Sequence, residues 1–174
     1  MVRLIQQQIP EPIDESYEFR RGLVRGKASS THRKLGKPHQ VYEIAGHLLK
    51  LNCRLIVGNF RYGVWNIVLH CEDSPFEDVI TVSLIKFGQI IDEVSTLWGA
   101  GWIEDLAIVS DNILQFQFIG REYRCEILDK PTFFIKPIDF FKNAAWYRSH
   151  FRSHFKLTSQ KLPLVRGINW DKSS

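Results

Sequence analysis

His150 and His154 stand four residues apart in a stretch that reads as a helix. That is the spacing of a two-histidine metal face. Phe151, Arg152 and Ser153 lie between them, without the glutamate of a hydrolytic zinc site, and Arg148 and Arg152 would repel a cation. The pair is read as part of a basic face. His70 and Cys71, with Cys53 across a hairpin, suggest a thiol–imidazole couple, but adjacent strand residues point to opposite faces and cannot pair directly. Glu72, Asp73, Glu77 and Asp78 gather where a helix is expected to start, and acids there are favoured by the helix dipole without any catalytic duty. Asp92-Glu93 and Glu104-Asp105 read as solvated surface. Gly22, Gly26 and Gly36 follow no apolar strand and match no phosphate loop. No catalytic residue, metal or cofactor is expected, so the chain is read as a non-enzyme.

The charges are more informative. Seven bases (Arg20, Arg21, Arg25, Lys27, Arg33, Lys34 and Lys37) lie between residues 20 and 40 with no acid among them. Residues 1–71 sum to +6, residues 72–129 to −9 and residues 130–174 to +7. Two basic ends flank an acidic middle, and a like-charged block is commonly a partner-binding surface. Seven bases can neutralise several phosphates, and each such contact adds salt-sensitive affinity. No aromatic residue interrupts the run between Phe19 and Tyr42. The run therefore lacks stacking platforms and is expected to bind without sequence preference. Arg148, Arg152 and Lys156 recur every four residues and add a second basic stripe. These ten bases are the expected polyanion-binding residues.

A length of 174 residues, 44% hydrophobic and 13% aromatic, is that of one folded domain with a tail. Cys53, Cys71 and Cys125 are odd in number and share no metal-ligand spacing, so buried reduced thiols are expected. Residues 1–10 carry no apolar leader core, and no apolar run reaches the roughly 20 residues of a membrane-spanning helix. A cytoplasmic or nuclear location, with peripheral membrane contact allowed, is expected rather than secretion.

The elements that must position these residues follow from periodicity. Residues 1–40 mix prolines, acids and the basic run without apolar repeat, and read as a disordered arm. The core is expected over 41–156. Alternation of Leu49, Leu51, Cys53, Leu55 and Val57 predicts a strand. Residues 58–63 read as a turn, and Trp65, Ile67, Leu69 and Cys71 predict the returning strand. Ser74-Pro75-Phe76-Glu77 has the form of a helix cap. Phe76, Val79, Ile80, Ser83, Leu84, Phe87, Ile91, Val94 and Trp98 then follow at helical spacing. The β-branched run 79–82 and Gly88 allow a second reading, a strand at 79–86 before a short helix at 89–98. A three-stranded meander is expected over 103–127, with a primed turn at Asp111-Asn112 and another at Gly120-Arg121. Phe140, Ala144, Tyr147, Phe151 and Phe155 then predict a last helix from Ile138 to Phe155. Residues 157–174 form a basic tail.

The expected fold is thus α+β: an antiparallel sheet in the order ββαβββα with two helices, behind a disordered basic arm. The expected function is a structural or binding protein that self-associates and holds a polyanion: RNA, a ribonucleoprotein or an anionic membrane face. By charge layout it is analogous to a viral matrix or coat protein. The first rival is a soluble RNA-binding or regulatory accessory protein. The second is a small-ligand binder or enzyme with a pocket between sheet and helix.

Overall fold

The computed structural model describes residues 2–11, 40–51, 53, 55–71, 79–96, 99, 102–134, 140, 142–148 and 151–163. Twelve strands run through them: β1 (Leu4–Gln6), β2 (Gln40–Ile44), β3 (His47–Leu51), β4 (Leu55–Tyr62), β5 (Trp65–Cys71), β6 (Ile80–Lys86), β7 (Gln89–Thr96), β8 (Glu104–Ser110), β9 (Ile113–Phe118), β10 (Arg121–Phe133), β11 (Ala145–Tyr147) and β12 (Arg152–Lys161). They form three antiparallel sheets: a six-stranded one in the order β1-β4-β5-β6-β7-β11, a four-stranded one in the order β12-β10-β9-β8, and the hairpin β2-β3.

The α+β expectation is therefore overturned. Among the described residues the first expected helix is a strand hairpin, and the second keeps one helical turn and is otherwise mostly strand. Residues 80–96 form the hairpin β6–β7, which turns at Phe87-Gly88 with φ of 50° and 73°. Two positive φ values in succession are what a two-residue primed turn needs, and glycine supplies the second at no steric cost. The same turn recurs at Ala45-Gly46 and Ile119-Gly120. β6 resembled a helix because both of its faces are covered: every residue from Ile80 to Ile85 is buried. A strand buried on both faces loses the apolar–polar alternation that marks strands with one wet face. The cap expected at residues 74–77 lies outside the described residues.

The last helix is replaced by β11 and β12. Ser153, Phe155 and Leu157 point inward from β12, while Arg152 and Lys156 are exposed. The only helical residues among those described, Phe140, Lys142 and Asn143, belong to one turn closed by Ala144 N–H donating to the Phe140 carbonyl at 3.1 Å. The meander is present as β8–β10. Its first turn, Asp111-Asn112, is not primed, because neither residue has positive φ. The strand expected over 49–57 is divided between β3 and β4, and residues 58–62, expected as a turn, continue β4; the reversal comes at Gly63-Val64. Part of the expected arm also belongs to the fold. Leu4–Gln6 pairs with Phe60–Tyr62 as β1, and Leu4 is buried. The expected tail begins as strand through Lys161.

Two apolar cores hold the sheets together. Between the six- and four-stranded sheets lie Phe60, Ile67, Leu69, Val82, Leu84 and Val94 from one side, and Leu114, Phe116, Phe118, Tyr123, Ile127 and Phe155 from the other. Phe116 and Tyr123 stack with centroids 5.3 Å apart. On the opposite face of the six-stranded sheet, the β2–β3 hairpin lays Tyr42, Ile44, Leu49 and Leu51 over Ile56, Val68 and Ile85. Each large side chain buried in this way contributes about 1.5–3 kcal/mol.

Candidate partner-binding surface and the buried polar network

The polar residues that the fold brings together are not those expected from their spacing. Asp92 and Glu93, expected on a solvated surface, are both buried. As neighbours on β7 they project to opposite faces of the six-stranded sheet. Asp92 faces β12. Its Oδ2 accepts from Ser153 Oγ at 2.6 Å and from the His154 backbone N–H at 2.7 Å, and its Oδ1 accepts from the Glu93 N–H at 2.9 Å. Ser153 Oγ in turn accepts from the Phe155 N–H at 2.9 Å. One carboxylate thus ties the start of β12 to the other sheet. Asp92→Asn keeps the shape but turns an NH₂ group towards these donors, so it is expected to cost on the order of 2 kcal/mol. Urea unfolding checks this; a change within about 0.5 kcal/mol, the range of a surface substitution, would show the clamp to be dispensable.

Glu93 faces the other way. Its Oε1 accepts from Ser83 Oγ at 2.8 Å, and its Oε2 is held by Arg148 Nη1. Ser83 Oγ lies 2.9 Å from His70 Nε2. Because the serine proton is committed to Glu93, His70 carries its proton on Nε2 and donates to Ser83. His70 Nδ1 is buried and has no partner among the described residues. Burial pushes the His70 pKa down to about 4, against a smaller opposing pull from Glu93. In a hydrolytic triad the imidazole stands between serine and carboxylate and takes the serine proton. Here the serine stands in the middle, fully buried, and donates to the carboxylate. The order histidine–serine–glutamate–arginine links β5, β6, β7 and the residue after β11 as a structural tie.

Cys71 packs towards the main core while His70 lies on the opposite face with Ser83, so the two do not meet, as their adjacency required. Cys53, Cys71 and Cys125 are not disulfide-bonded. Burial raises the Cys125 pKa, which keeps that thiol protonated and inert. His154 sits on β12 with its ring edge against Trp65, centroids 4.7 Å apart, and Nδ1 lies 3.0 Å from the Leu128 carbonyl. His150 lies outside the described residues. Without a helix the two histidines share no helical face. Among the described residues no three His, Cys, Asp or Glu side chains converge to hold a metal.

Of the ten expected polyanion-binding bases, Arg20, Arg21, Arg25, Lys27, Arg33, Lys34 and Lys37 lie outside the described residues. Arg148 engages Glu93 through its side chain, and its N–H donates to the Glu93 carbonyl at 3.1 Å. Arg152 and Lys156 share one face of β12, because a spacing of four is even and keeps two residues on one side of a strand as it does on a helix. Lys156 Nζ lies 3.8 Å from Glu126. Arg152 stacks its guanidinium 4.3 Å from the centroid of Phe133, its cross-strand partner. Phe133 is 72% exposed and Phe151, beside Arg152 in the chain, is 70% exposed. Phe151 was expected in the core and stands in solvent instead. This rim of rings and cations lies where β10 runs past β9 while still paired with the start of β12: residues 129–133 are all exposed and include Lys130. The sequence signal for it was the Lys130–Phe134 segment itself, basic and aromatic at the end of a strand.

No protein-family model, no curated protein and no solved structure matches this chain.

Proposed function

We propose that this chain is a non-enzymatic, self-associating binding protein that holds RNA through its basic segments and the aromatic–arginine rim of β10 and β12, in the manner of a coat or matrix protein. The observation that carries the reading is exposed Phe133 stacked on Arg152, with the exposed Phe151 preceding Arg152 in the chain. Large rings in water contribute nothing to the core, and beside a guanidinium they make a platform on which bases stack while the cation meets phosphate. The basic run at 20–37 supports it with salt-sensitive, sequence-independent attraction. Lys156 extends the rim along the same face of β12. Arg148, engaged by the buried Glu93, serves the fold.

Binding of a single-stranded RNA oligonucleotide across a salt series tests this. Phe133→Ala and Phe151→Ala are each expected to weaken affinity about ten-fold with the salt slope unchanged, the loss of one stacked base. Replacing the seven bases at 20–37 by glutamine is expected to flatten the salt slope, and this leaves β1 intact as a deletion of residues 1–40 would not. Affinity indifferent to all these changes sinks the reading. Binding to phosphatidylserine vesicles but not to RNA would transfer it to a membrane face.

A further inference from the structure

We infer that the end of the six-stranded sheet carrying the β4–β5 and β6–β7 turns docks on an anionic lipid bilayer. The two turns lie side by side, because Asn66, just past the first, pairs with Ile85, just before the second. β1 starts at the same end: Leu4 pairs with Tyr62, and a Cβ on Gly63 would lie 3.1 Å from Val2 Cγ1. The turn of β2–β3 abuts them, since a Cβ on Gly88 would lie 3.0 Å from the His47 Cβ. The two sheet turns and the start of β1 each present an apolar side chain to water: Phe87 is 76% exposed, Val64 64% and Val2 49%. A cation accompanies each one. Lys86 Nζ lies 5.3 Å from the Phe87 ring centroid, Arg61 Nε donates to the Gly63 carbonyl at 3.1 Å, and exposed Arg3 follows Val2. Residues 2–3, 45–48, 61–65 and 85–89 include no acid. Two acids come close from the four-stranded sheet: Asp129 accepts from the Tyr62 hydroxyl at 3.1 Å, and the Asp111 carbonyl accepts from the Leu4 N–H at 2.6 Å.

Phe87 does not serve the fold. It opens a primed turn with a φ of 50°. That position favours asparagine, aspartate or glycine, and a bulky side chain there is strained. Ile119, in the same position of another turn, packs against Gly99. The Phe87 ring instead stands in water beside Lys86 and adds to neither apolar core. A ring held at a conformational cost without a packing gain is the mark of a binding residue. Single side chains on convex turns would each need a matching pocket in a protein partner. The interface of a bilayer admits protruding apolar side chains without a preset shape, and its anionic headgroups attract the cations beside them. Apolar insertion and charge together are the two signals that stable docking needs. Apolar tips backed by cations therefore select an anionic bilayer as the occupant. This surface goes beyond the RNA reading and shares no residue with the rim of β10 and β12 or with the bases at 20–37.

Flotation of the full chain with phosphatidylcholine vesicles, with and without about 30% phosphatidylserine, tests it. The expected result is binding to the phosphatidylserine vesicles only. Phe87→Asn with Val64→Ser is expected to lower the partition coefficient at least about ten-fold, because two apolar side chains no longer leave water, and to leave RNA affinity unchanged. Lys86→Glu with Arg61→Glu is expected to lower it by about the same factor. Asparagine suits the left-handed position, so Phe87→Asn alone is expected to melt at the wild-type temperature or above it. Binding to neither vesicle, equal binding to both, or binding that the Phe87→Asn, Val64→Ser pair leaves intact overturns the inference. So does early melting of Phe87→Asn, which would give the ring to the fold. Absent RNA binding with vesicle binding intact and dependent on Phe87 would sink the RNA reading alone.

Discussion

Phe155→Ala is expected to destabilise the fold by about 3–5 kcal/mol, while Phe151→Ala changes stability by no more than about 0.5 kcal/mol. The rings are four residues apart, and on a helix both would belong to the same apolar stripe. On the structure they part company. Phe155 sits on β12 opposite Ile127 of β10, 2% exposed in the main core. Phe151 precedes the strand, and its carbonyl accepts from the Phe134 N–H at 3.2 Å while its ring faces water. Truncating Phe155 removes apolar area and leaves a cavity between two sheets that cannot close over it. Truncating Phe151 removes neither. Denaturant unfolding of both variants decides between strand and helix in this segment. Equal losses would restore the helical stripe.

Stability is expected to fall by about 3 kcal/mol as pH drops from about 6.5 to about 4, through His70. The sign follows from the shift. The folded imidazole stays neutral down to about pH 4, whereas the unfolded one binds a proton below about pH 6.5. Through that window the unfolded state holds the extra proton, so each pH unit removes about 1.4 kcal/mol from the folded state. Above the window the stabilisation is complete, and below it the loss levels off. The cause is structural. A proton on Nδ1 would become a buried, charged donor without an acceptor among the described residues, on a ring enclosed beside Ser83. His70→Gln keeps an N–H within reach of Ser83 and carries no titrating group. Its unfolding free energy is expected to change by about 2 kcal/mol less than wild type between pH 6.5 and pH 5. Parallel pH profiles for the two proteins would falsify the assignment to His70.

The elements legible in the chain were those with one wet face. In β9, Leu114, Phe116 and Phe118 alternate with Gln115 and Gln117, and Gly120 marked the turn that follows, which lies at Ile119-Gly120, one residue before the expected Gly120-Arg121. β5 was legible through Trp65, Ile67, Leu69 and Cys71, which do face the main core. Of the glycines that close primed turns, Gly46 was not read at all and Gly88 was seen. Gly88 counted only as a weakness in a helix, although after a β-branched run it marks a hairpin. β6 was read locally only as the second choice, a strand at 79–86 marked by its β-branched run, because its second apolar face is created by the β2–β3 hairpin that covers it and hides the alternation.

The sequence by itself determined the charge layout, the burial of Cys53 and Cys125 though not of the half-buried Cys71, and the meander, since composition and period two are properties of neighbouring residues. Tertiary structure alone decided the fates of Asp92, Glu93 and His70. An acid is buried only when donors are brought to it, and those for Asp92 come from Ser153 and His154, sixty-one and sixty-two positions along the chain. It likewise decided that Phe151 is wet and Phe155 dry, because the helical and extended readings of one aromatic stripe differ only in what the opposite sheet covers.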